Sequence, residues 1–355
     1  RIGVAMSQGS SCCDTLVINP VESVWCQVYP GWTRDFKPLS PEIIQLENQY
    51  ENLFHWLSGA NIDFDYGDEE MLGRLGSIGH TEAGLPYLQL GEARYMQVII
   101  AGMTTIRSTT VRKLAEFLEL GGKVIFAGET PTHVDARKSE QALQLSEKGE
   151  RIGFQQEQVV KASQRGIRQR VELRDPQTGE EITDIYVQVK EQGDVRFILA
   201  VNMNQEQMYN NVQVTVFDGG GFVQEWNSSE GSRVAVASGE ERCEFHADFY
   251  PGGEHLYVVT REQDRTLAEQ QVYAVKQEIP VIDGYDYVLN EPNILVLDRV
   301  SYQVEGEWKP ETEVLKADRE IRQQLSLPLR GGEMVQPWFR ERMEDDGSGV
   351  KETKG

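Results

Sequence analysis

Cysteine, histidine and positive charge are what this sequence has least of: 355 residues hold four cysteines, five histidines and 35 lysines and arginines against 57 acidic residues. Cys12, Cys13, Cys26 and Cys243 show neither C-x-x-C metal spacing nor the density of a disulfide framework. Reduced, mostly structural thiols are therefore expected, and with them a cytoplasmic setting. His55, His80, His133, His246 and His255 are scattered, and none falls in register with a second ligand, so no metal site is expected. A net charge of -22 repels phosphate backbones and anionic surfaces, which argues against nucleic acid and membrane as partners. No apolar run approaches the roughly 18 to 20 residues that cross a bilayer, and no signal-peptide pattern opens the chain. The sequence begins at Arg1 without an initiator Met and ends in the polar tail Glu344 to Gly355, so its start reads as a cut or processed end, with room for a signal upstream.

Sequence signatures for the common chemistries are missing too. No G-x-G-x-x-G follows the first strand, which runs into Asn19-Pro20-Val21-Glu22, and no G-x-x-x-x-G-K-[ST] occurs, so no cofactor is expected. Amidotransferases and α/β-hydrolases place Cys or Ser on a tight strand-to-helix elbow. Here the strand ending at Ala101 enters Gly102-Met103-Thr104-Thr105, with Met103 near the elbow and no thiol. No catalytic residue is assigned.

What is present begins with short apolar strands that empty into Gly and acidic residues: Asp14 to Pro20, Ile62 to Tyr66, Met96 to Ala101 and Lys123 to Ala127. Helical stretches separate them. Ser40 to Leu57 has Ser as N-cap, Pro at the first helical position and a stripe of Ile43, Leu46, Tyr50, Leu53, Phe54 and Leu57 at spacings of three and four. Asp68 to Leu75 predicts a short helix, Tyr87 to Tyr95 a hairpin turning at Gly91-Glu92, and Ser108 to Leu120 a helix closed by Gly121-Gly122. Alternating strands and helices need right-handed crossovers and a mainly parallel sheet, so the fold class is α/β, doubly wound, for the first part.

An all-β part follows. From Pro131 to Gln164 the composition turns polar and predicts a linker. Beyond it, strands recur at 186–189, 195–201, 212–217, 222–226, 233–237, 243–246 and 255–259, punctuated by Asp218 to Gly221, Ser229 to Gly231 and Pro251 to Gly253. This pattern predicts an antiparallel β-sandwich. A third region carries one or two strands over 293–304 and a helical segment over 315–327, too little to close a sandwich. The expected domains are 1–135 α/β, 136–164 linker, 165–260 β-sandwich, 261–340 partial β-rich domain and 341–355 disordered tail.

Glu22, Asp65, Asp68, Glu69 and Glu129 all fall at or just past the carboxyl ends of predicted strands, the edge where open parallel sheets bind ligands. They suit sugar-hydroxyl acceptors or a docking surface. The favoured role of the individual carboxylates is structural, since acidic first turns are ordinary in helices: Asp68 as a helix cap, with Glu69 and Glu70 complementing the helix dipole. The loop from Val24 to Asp35 adds Trp25, Tyr29, Trp32 and Arg34, which can stack on and hydrogen-bond a pyranose or clamp the loop to a neighbour. The substrate-binding candidates are thus Trp25, Trp32, Arg34, Asp65, Asp68 and Glu69.

The runs Asp14 to Trp25, Ile62 to Leu72, Leu90 to Tyr95, Ile106 to Thr110 and Gly121 to Glu129 together resemble the region that follows the catalytic barrel in large bacterial glycoside hydrolases, the α-L-rhamnosidase-like, family 2 sugar-binding type. The resemblance continues through Phe197 to Asn202, Val223 to Trp226, Glu291 to Asp298 and Gly331 to Trp338. It implies a flavodoxin-like, class I amidotransferase-like first domain, similar to the trimerisation domain of some β-galactosidases, without its nucleophile. It also implies that the catalytic carboxylates lie in an upstream barrel, with Arg1 to Gly9 resembling the last turn of that barrel's final helix. The partners so implied are that barrel, carbohydrate and a further copy of the chain in a homo-oligomer.

Overall fold

The structure, a computed structural model, describes residues 1–28, 39–217, 220–269, 284, 288, 297–304 and 306–329. The chain divides into two compact units, Arg1–Val28 with Leu39–Ala274, and Tyr29–Pro38 with Val275–Gly355.

In the first unit a five-stranded parallel sheet comprises β1 (Thr15–Ile18), β2 (Phe64–Gly67), β3 (Gln97–Ala101), β4 (Lys123–Ala127) and β5 (Glu150–Ile152). Their spatial order is β2-β1-β3-β4-β5, with every neighbouring pair parallel. Strands covered on both faces read as continuous apolar runs. Accordingly Leu16, Ile18, Val98, Ile100, Val124 and Phe126 point into one core, and Val17, Ile99, Ile125 and Ala127 into the other.

Helices close both faces. α1 (Ile2–Met6) and α2 (Val21–Trp25) are single turns, whereas α3 (Pro41–Gly59) is held at its start by the Ser40 hydroxyl, which accepts from the Ile43 N–H at 3.2 Å. α3 buries Leu53 and Leu57 beside Val159 and Ala162 of α7 (Gln156–Gln164). The opposite face receives Leu72 of α4 (Glu69–Leu75), Leu114 and Phe117 of α5 (Ser108–Glu119), and Ala142 and Leu145 of α6 (Gln141–Lys148). The expected hairpin is present as Pro86–Leu90 with Ala93–Tyr95, and Gly76–His80 adds a third strand.

One expectation is overturned by the structure. Residues 136–164 are not a linker: they supply α6, β5 and α7, and their polar composition belongs to the outer faces of two short amphipathic helices. The apolar minority, Leu145, Val159 and Ala162, is buried. At the start of the chain, Ala5 and Met6 of α1 pack on Phe197, Leu256 and Val258 of the β-rich part.

That part begins with β6 (Val171–Arg174), a strand the turn signals did not reveal. The seven expected strands follow as β7 (Ile185–Gln192), β8 (Val195–Asn202), β9 (Tyr209–Val216), β10 (Gly221–Trp226), β11 (Arg233–Gly239), β12 (Cys243–Phe249) and β13 (Glu254–Thr260). One sheet runs β7-β8-β13-β10-β11, extended by Ser10–Ser11 and Ala268–Glu269 at its edges; the other runs β6-β9-β12. Residues from both share one core, including Ile185, Ile198, Val214, Phe249 and Tyr257.

A polar seam joins the two parts of the unit. Arg170 donates to both carboxylate oxygens of Asp14 at 2.8 and 3.2 Å, His55 Nδ1 lies 2.7 Å from the Tyr186 hydroxyl, and the Val189 N–H donates to Asp63 at 3.3 Å. Burial pushes the Asp63 carboxyl up to about 7.

The second unit, described by itself, contains a hairpin of β14 (Arg299–Val304) and β15 (Glu307–Glu313) followed by α8 (Val314–Gln324). Of the strands expected over 293–304, one is present at Arg299–Val304 while 293–296 lie outside the described residues, and the helix expected over 315–327 is present as Val314–Gln324; the partner strand β15, with Pro310 among charged residues, carries no apolar alternation to signal it. The expected tail at 341–355 lies outside the described residues. No helix among the described residues is long and apolar enough to cross a membrane.

Candidate functional site

In an open α/β sheet the chain leaves its first strand for one side and its neighbour for the other, and the diverging loops open a crevice at the carboxyl ends. Here that point lies between β1 and β3, because β2 sits outside β1 while β4 and β5 continue beyond β3. A cavity of about 350 Å³ occupies it. Glu22, Trp25 and Cys26 line it from the segment after β1, Thr105, Ile106 and Arg107 from the segment after β3, and Asp135 and Ala136 from that after β4.

Each wall is held by local chemistry. Gly102 leaves β3 with φ +66°, a left-handed backbone conformation that favours glycine. Met103 then turns inward and is 2 % exposed. The Ser23 hydroxyl, fully buried, accepts from the Thr104 and Thr105 N–H groups at 3.0 and 3.2 Å and ties α2 to the segment after β3.

The charged wall is an interlocked set. Arg107 Nε donates to Glu22 Oε1 at 2.6 Å, while the Arg107 backbone N–H donates to Glu69 Oε2 at 2.8 Å. Glu69 is fully buried, and burial, reinforced by the nearby Glu22 charge, pushes its carboxyl up to about 7. Asp135 accepts from the Ser108 N–H at 2.9 Å, and this bond lowers its carboxyl below the ordinary range. Ser108 is the first residue of α5, and Asp135 reaches across from another loop to satisfy that end.

Asp135 and Ala136 form the two-residue turn between His133–Val134 and Arg137–Lys138, both with positive φ, at +50° and +60°. Such a turn favours Asn, Asp or Gly, and Ala in that conformation costs on the order of 1 kcal/mol. The Ala136 N–H donates to Thr105 Oγ1 at 3.0 Å, which fixes the turn at the cavity lip.

The structure separates the candidates that the sequence had grouped. Trp25 lines the cavity and is 63 % exposed. Glu69 stands behind the Arg107 wall. Asp68 caps α4, accepting from the Met71 N–H at 3.0 Å, and Asp65 lies within β2, accepting from the Tyr95 hydroxyl at 2.9 Å. Neither lines the cavity, nor does the exposed Glu129. Trp32 and Arg34 lie outside the described residues. Sequence reasoning did not select Cys26, Thr105, Arg107 and Asp135, although Thr105 and Arg107 follow the third strand at the distance at which crevice residues occur.

The described residues include no group of three or more His, Cys, Asp and Glu side chains arranged to hold a metal ion. Cys12, Cys13 and Cys243 are buried free thiols, with burial pushing Cys12 up to about 11, and no histidine lines the cavity beside the exposed Cys26.

No family model matches this chain, and no curated protein matches it. Solved structures similar to it include a rhamnosidase from Novosphingobium sp., at 14 % identity and a TM-score of 0.48 over 79 % of this chain and 25 % of that one. An α-L-fucosidase isoenzyme 2 from Paenibacillus thiaminolyticus is similar at 11 % identity and a TM-score of 0.43 over 74 % of this chain and 50 % of that one. A β-galactosidase from Bacillus circulans sp. alkalophilus is similar at 9 % identity and a TM-score of 0.42 over 72 % and 42 %. The chain thus spans a quarter to a half of the length of these structures.

Proposed function

We propose that this chain is a non-catalytic accessory portion of a carbohydrate-active glycoside hydrolase, a flavodoxin-like domain and a β-sandwich that support a catalytic barrel carried elsewhere in the polypeptide. The observation that carries this reading is Met103. The residue at the elbow after β3, where a wound-sheet hydrolase of the elbow type presents its nucleophile, is an apolar side chain only 2 % exposed.

Three further observations support it. The β2-β1-β3-β4-β5 order is the flavodoxin-like one. Glu22 and Glu69 are each engaged by Arg107, so the acidic residues of the rim act first as structural partners. The sequence runs Asp14 to Trp25, Ile62 to Leu72 and Gly121 to Glu129 carry the resemblance to the region behind the barrel. The outer row of α3, with Ile44, Tyr50 and Phe54 each at least 38 % exposed, is the apolar surface this reading assigns to packing against the rest of the polypeptide.

The test is hydrolysis of aryl α-L-rhamnosides and aryl β-D-galactosides by the purified chain. The expected rate equals that of buffer. Enzyme-like turnover abolished by Glu69→Gln would refute the accessory reading.

A further inference from the structure

We propose that the cavity between the β1 and β3 crossovers binds a neutral pyranose, with Trp25 as its stacking platform and the Glu22–Arg107 pair as its hydrogen-bonding wall. The inference rests on the carbohydrate reading above and assigns that reading a place of contact.

Size comes first. A cavity of about 350 Å³ lies at the lower end of the roughly 300–1,000 Å³ typical of small-molecule clefts, which suits one or two sugar rings rather than a dinucleotide or a peptide. Shape follows from Trp25. A tryptophan 63 % exposed at the mouth of a cleft offers a broad apolar face, and the axial C–H groups of a pyranose match such a face.

Charge selects against the alternatives. An anion would approach Arg107, but Glu22 already neutralises it and Asp135 adds a second negative charge at the lip, on a chain of net charge -22. A cation would find the Glu22 charge balanced by Arg107 and Asp135 alone at the lip, and the described residues include no group of three or more His, Cys, Asp and Glu side chains arranged to hold a metal ion. A polyhydroxyl ligand asks for donors and acceptors side by side, and the wall provides both. Arg107 commits Nε to Glu22, and its two terminal nitrogens donate to no other described residue, which leaves them for ligand oxygens.

The lip is held from two sides. The strained Asp135-Ala136 turn is bonded both to Thr105 and to the start of α5, so the cavity is preformed and binding need not order it.

Cys26 gives a site-specific readout, because it is exposed in the cavity while Cys12, Cys13 and Cys243 are buried. The full chain is treated with iodoacetamide in the presence of methyl β-D-galactopyranoside, methyl α-L-rhamnopyranoside or methyl α-D-glucopyranoside, and alkylation is read by mass spectrometry at each cysteine. For at least one of these, Cys26 alkylation is expected to fall saturably, by about tenfold at ten times the dissociation constant. Trp25→Ala, at an exposed position, is expected to keep the far-UV circular dichroism of the parent and to weaken the protection by about fivefold, the worth of one aromatic contact. No protection by any of the three, equal protection in Trp25→Ala, or protection by inorganic phosphate in their place would overturn the proposal. These outcomes are separable from failure of the accessory reading, which shows as hydrolysis and not as a change at Cys26.

Discussion

Every residue of β3 is buried, from Gln97 to Ala101, whereas β12 alternates buried and exposed positions from Cys243 to Phe249. The first strand lies between two layers of helices and the second between a core and solvent. The two regions also treat charge differently. In the β-rich region His255 is bound on both nitrogens, Nδ1 2.6 Å from Glu225 and Nε2 3.0 Å from the Asp248 carbonyl. In the wound region Glu69 and Asp63 are carboxyls that burial has pushed up to about 7, and two residues at the cavity lip hold a left-handed backbone. Buried carboxyls raised by desolvation thus lie along the seam and the carboxyl-end rim of the parallel sheet, whereas the β-rich layer has Asn211 at positive φ and the unpartnered Tyr257 hydroxyl as its own strained and desolvated positions.

If the difference lies at the rim and not in core quality, truncating either core should be equally costly. Phe126→Ala and Phe249→Ala, both at fully buried side chains, are each expected to lose about 3–5 kcal/mol in denaturant titrations. Because both regions belong to one compact unit, a single transition is expected in both variants. Two separated transitions would break the comparison into two independently folding domains.

The second effect is pH-dependent. Asp63, with its folded value raised to about 7, binds its proton more tightly when folded, so its contribution is complete below the ordinary carboxyl value and is lost as pH rises through about 7. Asp63→Asn is expected to gain on the order of 2 kcal/mol at pH 8 and nothing at pH 4, measured as the shift in denaturation midpoint. In the β-rich region burial would lower His255, but its bond to Glu225 wins and raises it above its ordinary value. Its contribution is therefore full below about 6.5 and disappears as pH rises through the folded value. His255→Gln is expected to destabilise at pH 5.5 more than at pH 9.

Smaller still is the rim pair. A double-mutant cycle on Glu22→Gln and Arg107→Met is expected to give a coupling of about 1–2 kcal/mol, since the two side chains are 14 % and 33 % exposed. A coupling near zero would make the wall a surface pair. The smallest change is Ala136→Gly, expected to stabilise by on the order of 0.5–1 kcal/mol in thermal unfolding through relief of its positive φ.

The strands and helices with strong periodicity were legible in the sequence. Ser40 and Pro41 mark the start of α3, and Asp68 caps α4 as its position suggested. The stripe on α3 was only partly a core face, because Tyr50 and Phe54 turn outward to stack on Tyr66 at 4.4 Å and to meet Phe64 at 5.9 Å, edge-on. β5 and α7 escaped notice because a three-residue edge strand and a nine-residue helix rich in Gln carry too few apolar positions to reveal a period. The cavity was half legible. Glu22, Trp25 and Glu69 follow their strands closely, but Asp135 reaches the site through a hairpin turn whose Asp-Ala pair lacks the usual glycine, so nothing local announced it.

The proposed role of this rim is to bind sugar and leave it whole. One proton NMR experiment addresses both halves: methyl β-D-galactopyranoside and methyl α-L-rhamnopyranoside are incubated with the full chain while saturation transfer and the anomeric region are followed. Transfer to at least one glycoside, lost in Trp25→Ala, is expected, with the glycoside's anomeric signal undiminished. Growth of free reducing-sugar signals, or no transfer to either, would contradict it.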